Sequence, residues 1–91
     1  MEQLFVIVHR RLDGYEQVYT THDFDEAIYT QKMLFTHDAP VEYDPEIAKD
    51  LFTDEEIETI IHHLDNGELV RYFNDVEEVA IFYLPQIERL R

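Results

Sequence analysis

In Leu4-Phe5-Val6-Ile7-Val8-His9-Arg10-Arg11-Leu12-Asp13-Gly14-Tyr15-Glu16-Gln17-Val18-Tyr19-Thr20, two extended runs flank a turn dipeptide. Leu4 to Val8 is β-branched and apolar at odd and even positions alike, the pattern of a central strand covered on both faces. Asp13-Gly14 tolerates the positive φ angles of a type I′ turn, and Tyr15 to Thr20 supplies the returning strand. The segment predicts a β-hairpin.

Downstream the period changes. Phe24, Ala27, Ile28, Gln31, Leu34 and Phe35 share one stripe at helical spacing, and Asp23, Asp25 and Glu26 sit where a helix dipole favours negative charge, so a helix is expected from about Asp23 to His37. Residues 38–45 carry two prolines and no period and read as an ordered loop; Asp44 is placed to cap a short helix with Pro45 in its first turn, running to about Leu51. Thr53-Asp54-Glu55-Glu56 is a capping box, in which the Thr53 hydroxyl and the Glu56 carboxylate each satisfy an orphan backbone donor. The helix that starts there has Ile57, Ile60, Ile61 and Leu64 as its buried stripe and Asn66-Gly67 as its stop. Two more strands are expected, Leu69–Phe73 and Val79–Leu84, separated at Asn74-Asp75, although Val76, Val79, Ala80 and Tyr83 also suit a helix. The predicted order is ββααββ: one α+β domain over residues 1–91, with an antiparallel sheet of about four strands and two main helices on one face.

Composition narrows function by exclusion. At 91 residues the chain has room for one core, and 45% apolar with 13% aromatic residues is enough to build it. The absence of cysteine and serine removes disulfides, thiolate zinc sites, thiol nucleophiles and serine hydrolases. No apolar run reaches a membrane span, and Met1-Glu2-Gln3 lacks the basic flank of a signal peptide, so a cytoplasmic protein is expected. With 21 acidic against 7 basic residues the net charge is −14, which argues against direct binding to nucleic acid or anionic lipid and for a basic partner.

The charge is uneven. Residues 36–68 hold eleven acids against the single base Lys49, a net of −10, while residues 1–11 and 69–91 are nearly neutral. On the capped helix Asp54, Glu58 and Asp65 fall on the side away from the isoleucine stripe. Like charges at i,i+4 destabilise an isolated helix by roughly 0.2–0.5 kcal/mol per pair, so fold stability alone favours interleaved lysines. Four residues of helix rise about 6 Å, and DNA presents a phosphate every ~3.4 Å per strand. An acidic helical face flanked by loop carboxylates can therefore stand in for a phosphate row. The expected partner-binding residues are Asp38, Glu42, Asp44, Glu46, Asp50, Asp54, Glu55, Glu58 and Asp65. The plainer reading of the same residues is a solvated face that confers solubility.

In length, charge balance, mixed α+β pattern and the run from Glu42 to Glu58, the chain resembles the small acidic DNA-mimic proteins of phages, the Arn-type antirestriction proteins in particular. The resemblance implies a homodimer that occupies the DNA-binding surface of a restriction enzyme or another DNA-binding protein of the bacterial host. Arg10, Arg11, Arg89 and Arg91 depart from an all-acidic surface, which leaves one side of the domain outside any imitation.

Other constellations carry less. His62 and His63 project about 100° apart on a helix, so only His62 and Asp65 can approach one ion, and no metal or cofactor is expected. Asp23-Phe24-Asp25-Glu26 lacks the glycine and terminal glutamate of a calcium loop and reads instead as an N-terminal helix cap. Asp44-Pro45-Glu46-Ile47-Ala48-Lys49 has the wrong spacing for a metal-dependent nuclease, and Glu55-Glu56 have no pocket to separate their pKa values. The aromatics Tyr15, Tyr19, Tyr72, Phe73, Phe82 and Tyr83 are expected mainly in the core, with some tyrosines left for a dimer or partner interface. The expectation is a non-enzymatic DNA-mimic inhibitor, paired two-fold through strands or tyrosines; the alternative is an acidic adaptor or regulator that docks a basic partner without imitating DNA.

Overall fold

The computed structural model describes residues 4–37 and 42–83. The elements run β1 Phe5–Arg11, β2 Glu16–Thr21, α1 Phe24–His37, α2 Pro45–Leu51, α3 Asp54–Asp65, β3 Val70–Phe73 and β4 Glu77–Tyr83. The class is α+β, built on one antiparallel sheet in the order β2-β1-β4-β3. β1 is central, as its apolar run implies, and β4 returns to pair with it from Phe5 opposite Tyr83 to Arg11 opposite Glu77. Leu84, the expected end of the last strand, lies outside the described residues. Among the described residues no helix is long and apolar enough to cross a membrane.

The first hairpin forms with a different turn. Gly14 N–H donates to the Arg11 carbonyl at 3.1 Å and Arg11 N–H to the Tyr15 carbonyl at 2.9 Å. The tight turn is therefore centred on Leu12-Asp13, with Gly14 following it at φ +98°. That is a three-residue loop ending in a glycine bulge rather than a two-residue type I′ turn. Asp13 Oδ1 accepts from Tyr15 N–H at 3.0 Å and closes the loop.

Strand alternation divides the sheet into two unlike faces. Phe5 and Ile7 of β1 and Val79 and Ile81 of β4 point to the helices and join Ala27, Ile28, Leu34, Phe52, Ile60 and Leu64 in the core. Gln31 is fully buried on α1 and ties helix to sheet, its amide donating to the carbonyls of Val70 at 2.9 Å and Val79 at 3.0 Å. His9 is buried on the same face, its Nε2 3.0 Å from a Glu77 carboxylate oxygen. The expected helix stripe is correct except at Ile61, which is 41% exposed. One residue past Ile60, it is turned by about 100° away from the core.

Among the described residues no helix lies over the opposite face, although Ala80 on it is buried. There the register sets Glu16, Arg10, Glu78 and Phe73 in one row across the strands, Val18, Val8, Ala80 and Arg71 in the next, and Thr20, Val6 and Phe82 in the third. Of the cover expected on both sides of β1, the described residues supply helices on the Phe5 and Ile7 side. Val6 and Val8 remain half-buried among their neighbours, Val18 is 50% exposed and Phe73 63% exposed. The aromatics accordingly divide: Tyr72 packs on Phe35 with ring centroids 5.5 Å apart, whereas Phe73 and Tyr15 face solvent.

Candidate partner-binding surface

Charge follows the two layers. Residues 23–68, which form α1, α2, α3 and their connections, hold fourteen of the 21 carboxylates and only Lys32 and Lys49 among the basic residues. Among the described residues the sheet face away from the helices carries Arg10, Arg71, Glu16 and Glu78, two charges of each sign. There Arg10 Nε lies 3.2 Å from Glu16 and an Arg71 guanidinium nitrogen 3.2 Å from Glu78. Lys32 is directed inward, donating to the Leu51 carbonyl at 3.0 Å with its ammonium over the Phe52 ring. Lys49 stays beside Glu46 at 3.5 Å.

Of the nine expected site residues, Asp38 lies outside the described residues, and the other eight are exposed on the helix layer. Glu42 is held by its backbone, whose carbonyl accepts the Tyr29 hydroxyl at 3.1 Å. Asp44 caps α2, its Oδ1 accepting from Glu46 N–H at 2.9 Å. Glu46 and Asp50 extend along α2. On α3, Asp54, Glu58 and Asp65 fall within a wedge of ~40° at 100° per residue, with Glu55 on the adjoining side. Asp65 is about 16 Å along the axis from Asp54 at ~1.5 Å per residue, beside a distal polar cluster in which Asn66 meets His62 at 3.1 Å and His63 pairs with Glu68. The expected row is therefore a ridge along α3 with a broader acidic base at its N-terminal end.

That base contains residues the sequence reading assigned only to helix capping. Asp23 Oδ1 does cap α1, accepting from Asp25 N–H at 2.9 Å. The tertiary fold also sets the start of α1 beside the starts of α2 and α3. A groove of about 310 Å³ between them has Ile28, Phe52 and Ile57 in its wall and Asp25, Asp54, Tyr43 and Lys49 around it. The Tyr43 phenol is pushed above its ordinary value of 10.0, first by loss of hydration and then by the negative charge of Asp23, Asp25 and Glu26. Carboxylates from the starts of α1 and α3 thus line one groove, to which α2 contributes Lys49.

Glu56 plays a different part from its neighbours. Its carboxylate accepts from Thr53 N–H at 3.1 Å while Thr53 Oγ1 accepts from Glu56 N–H at 3.1 Å. The hydrogen bonds to Thr53 hold its pKa below the ordinary 4.5, and the Lys32 charge adds to them. Among the described residues no three His, Asp or Glu side chains are grouped to hold a metal ion. No protein-family model matches the chain, and neither a curated protein nor a solved structure is similar to it.

Proposed function

We propose that this chain is a non-enzymatic binding protein whose helix layer takes the place of a phosphate row on a DNA-binding protein, such as a restriction enzyme. The carrying observation is the segregation of charge: carboxylates from the starts of α1 and α3 meet around the Asp25–Asp54 groove, whereas among the described residues the far side of the sheet carries two charges of each sign. A face made for solubility has no need of that polarity. The axial rises of the α3 ridge support the reading. Asp54 to Glu58 is ~6 Å and Glu58 to Asp65 ~10.5 Å, close to two and three phosphate steps of ~3.4 Å on one DNA strand.

A second reading has an observation of its own. The groove wall is apolar, and Ile47 and Ile61 stand exposed among the acids. A phosphate imitator does not need these residues, whereas an adaptor that docks an amphipathic basic segment uses them. Immobilised chain exposed to a bacterial lysate separates the two. A mimic's partner is released by duplex DNA and is not captured by a D25N/D54N/E58Q variant; an adaptor's partner is retained in duplex DNA and lost when Ile61 and Ile47 become polar.

A further inference from the structure

We infer that the groove between the starts of α1 and α3 is an anchor pocket for one arginine side chain of the partner, its methylene stem on the apolar floor and its guanidinium at Asp25 and Asp54. The inference rests on the reading of the helix layer as the docking face for a basic protein, and it names the residue type that this face receives.

Buried Phe52 lies at the floor of the groove, half-buried Ala48 and Ile57 at its sides, and exposed Asp25, Asp54 and Lys49 at its rim. The two rim aspartates differ from the acids around them. Asp23, Asp44 and Glu56 accept from backbone N–H groups as helix caps, and Glu26 accepts the Thr21 hydroxyl. Among the described residues the carboxylates of Asp25 and Asp54 have no hydrogen-bond or ion-pair partner. Helix dipoles favour acids at both positions, but they require no apolar hollow between them.

A ligand with an apolar stem and a cationic end satisfies both the floor and the rim. At about 310 Å³ the groove is at the small end of ligand pockets and admits one side chain rather than a helix ~10 Å across. Arginine suits it better than lysine. Its planar head offers five donors to two separate carboxylates and stacks on an aromatic ring such as Tyr43, whereas an ammonium is a compact, strongly hydrated charge. The field at the groove already favours a cation: the Tyr43 phenol is raised by lost hydration and then by Asp23, Asp25 and Glu26. Lys49 opposes that field from the rim, beside Glu46.

Titration of the full chain with Nα-acetyl-arginine amide at constant ionic strength, followed by amide NMR, tests this without the partner. Saturable shifts centred on residues 25–28, 43–49 and 52–57 are expected, with dissociation in the millimolar range. Guanidinium chloride, which lacks the stem, and Nα-acetyl-norleucine amide, which lacks the charge, should each bind about tenfold more weakly. D25N and D54N should each weaken binding about fivefold. A48L fills the groove while keeping every carboxylate and should abolish binding. K49Q should strengthen it about twofold, a gain that damage to the fold does not produce. Equal binding of the arginine amide and guanidinium, shifts spread equally along Glu58 and Asp65, binding that survives A48L, or no saturable binding overturns the anchor. Competition between the chain and DNA for the partner is a separate measurement, so failure of the anchor and failure of the phosphate-row reading are distinguishable.

Discussion

The hydroxyl of Tyr29, fully buried on α1, donates to the backbone carbonyl of Glu42 at 3.1 Å, across thirteen residues of sequence. The Tyr43 ring rests edge-on against the same side chain, with centroids 5.2 Å apart. One core residue therefore holds the entry to the acidic segment at two points. A hydrogen bond fixes its backbone and an aromatic contact fixes Tyr43.

Tyr29→Phe keeps the ring and removes the hydroxyl. The expected loss is about 1 kcal/mol, the net contribution of a typical intramolecular hydrogen bond. Urea denaturation measures it. Faster amide exchange confined to residues 42–44 is the expected companion, and an unchanged midpoint with unchanged exchange would show that the loop is held by other contacts.

The Tyr43 phenol reports whether the acids at the start of α1 act on the loop. Asp23→Asn, Asp25→Asn and Glu26→Gln together should bring its ionisation down toward the ordinary 10.0, leaving the part caused by lost hydration. Tyrosine absorbance titration against a Y43F reference isolates this group. An ionisation that does not move would place those carboxylates too far away to share a surface with it.

Thr53→Ala removes one half of the capping box and should cost about 1 kcal/mol. The pH dependence follows from Glu56, whose pKa is lowered in the folded chain. Its contribution is fully present above the unfolded value near 4.5 and is lost as pH falls through the lower folded value. The difference in stability between wild type and T53A should therefore be constant near neutrality and shrink below about pH 4.5. A difference that grows on acidification contradicts the capping account.

Gln31→Leu exchanges the amide for a similar volume without donors and leaves two strand carbonyls short of a partner. A loss of about 1–3 kcal/mol is expected, with amide protection falling first where β3 meets β4.

How much of this was legible in the sequence depends on the range of the interaction. The capping box, the Asp44 and Asp23 caps and the stop at Gly67, φ +79°, each involve residues within a few positions of one another. Local chemistry was enough to find them, and Gln31 on the buried stripe was found by period alone. The bulge at Gly14 was missed because Asp-Gly fits both turn types, and which forms depends on strand pairing at Arg11 and Tyr15. The apolar run of β1 states that burial is needed, not which elements supply it. The Asp25–Asp54 groove joins residues 29 positions apart through the docking of α1 against α2 and α3, and His9 meets Glu77 across the β1–β4 pair. No local pattern encodes either contact. Asp25 was read as a helix-dipole residue, and that reading holds, but it left the second role unseen.

The central claim is that the carboxylates of the helix layer and DNA compete for one basic surface. The most direct measurement takes the partner captured from lysate and titrates it with labelled duplex DNA at several fixed concentrations of this chain. The account predicts that the apparent Kd for DNA rises in proportion to the chain concentration and that the DNA-bound partner excludes the chain. A Kd for DNA that stays constant while the chain remains bound would contradict it.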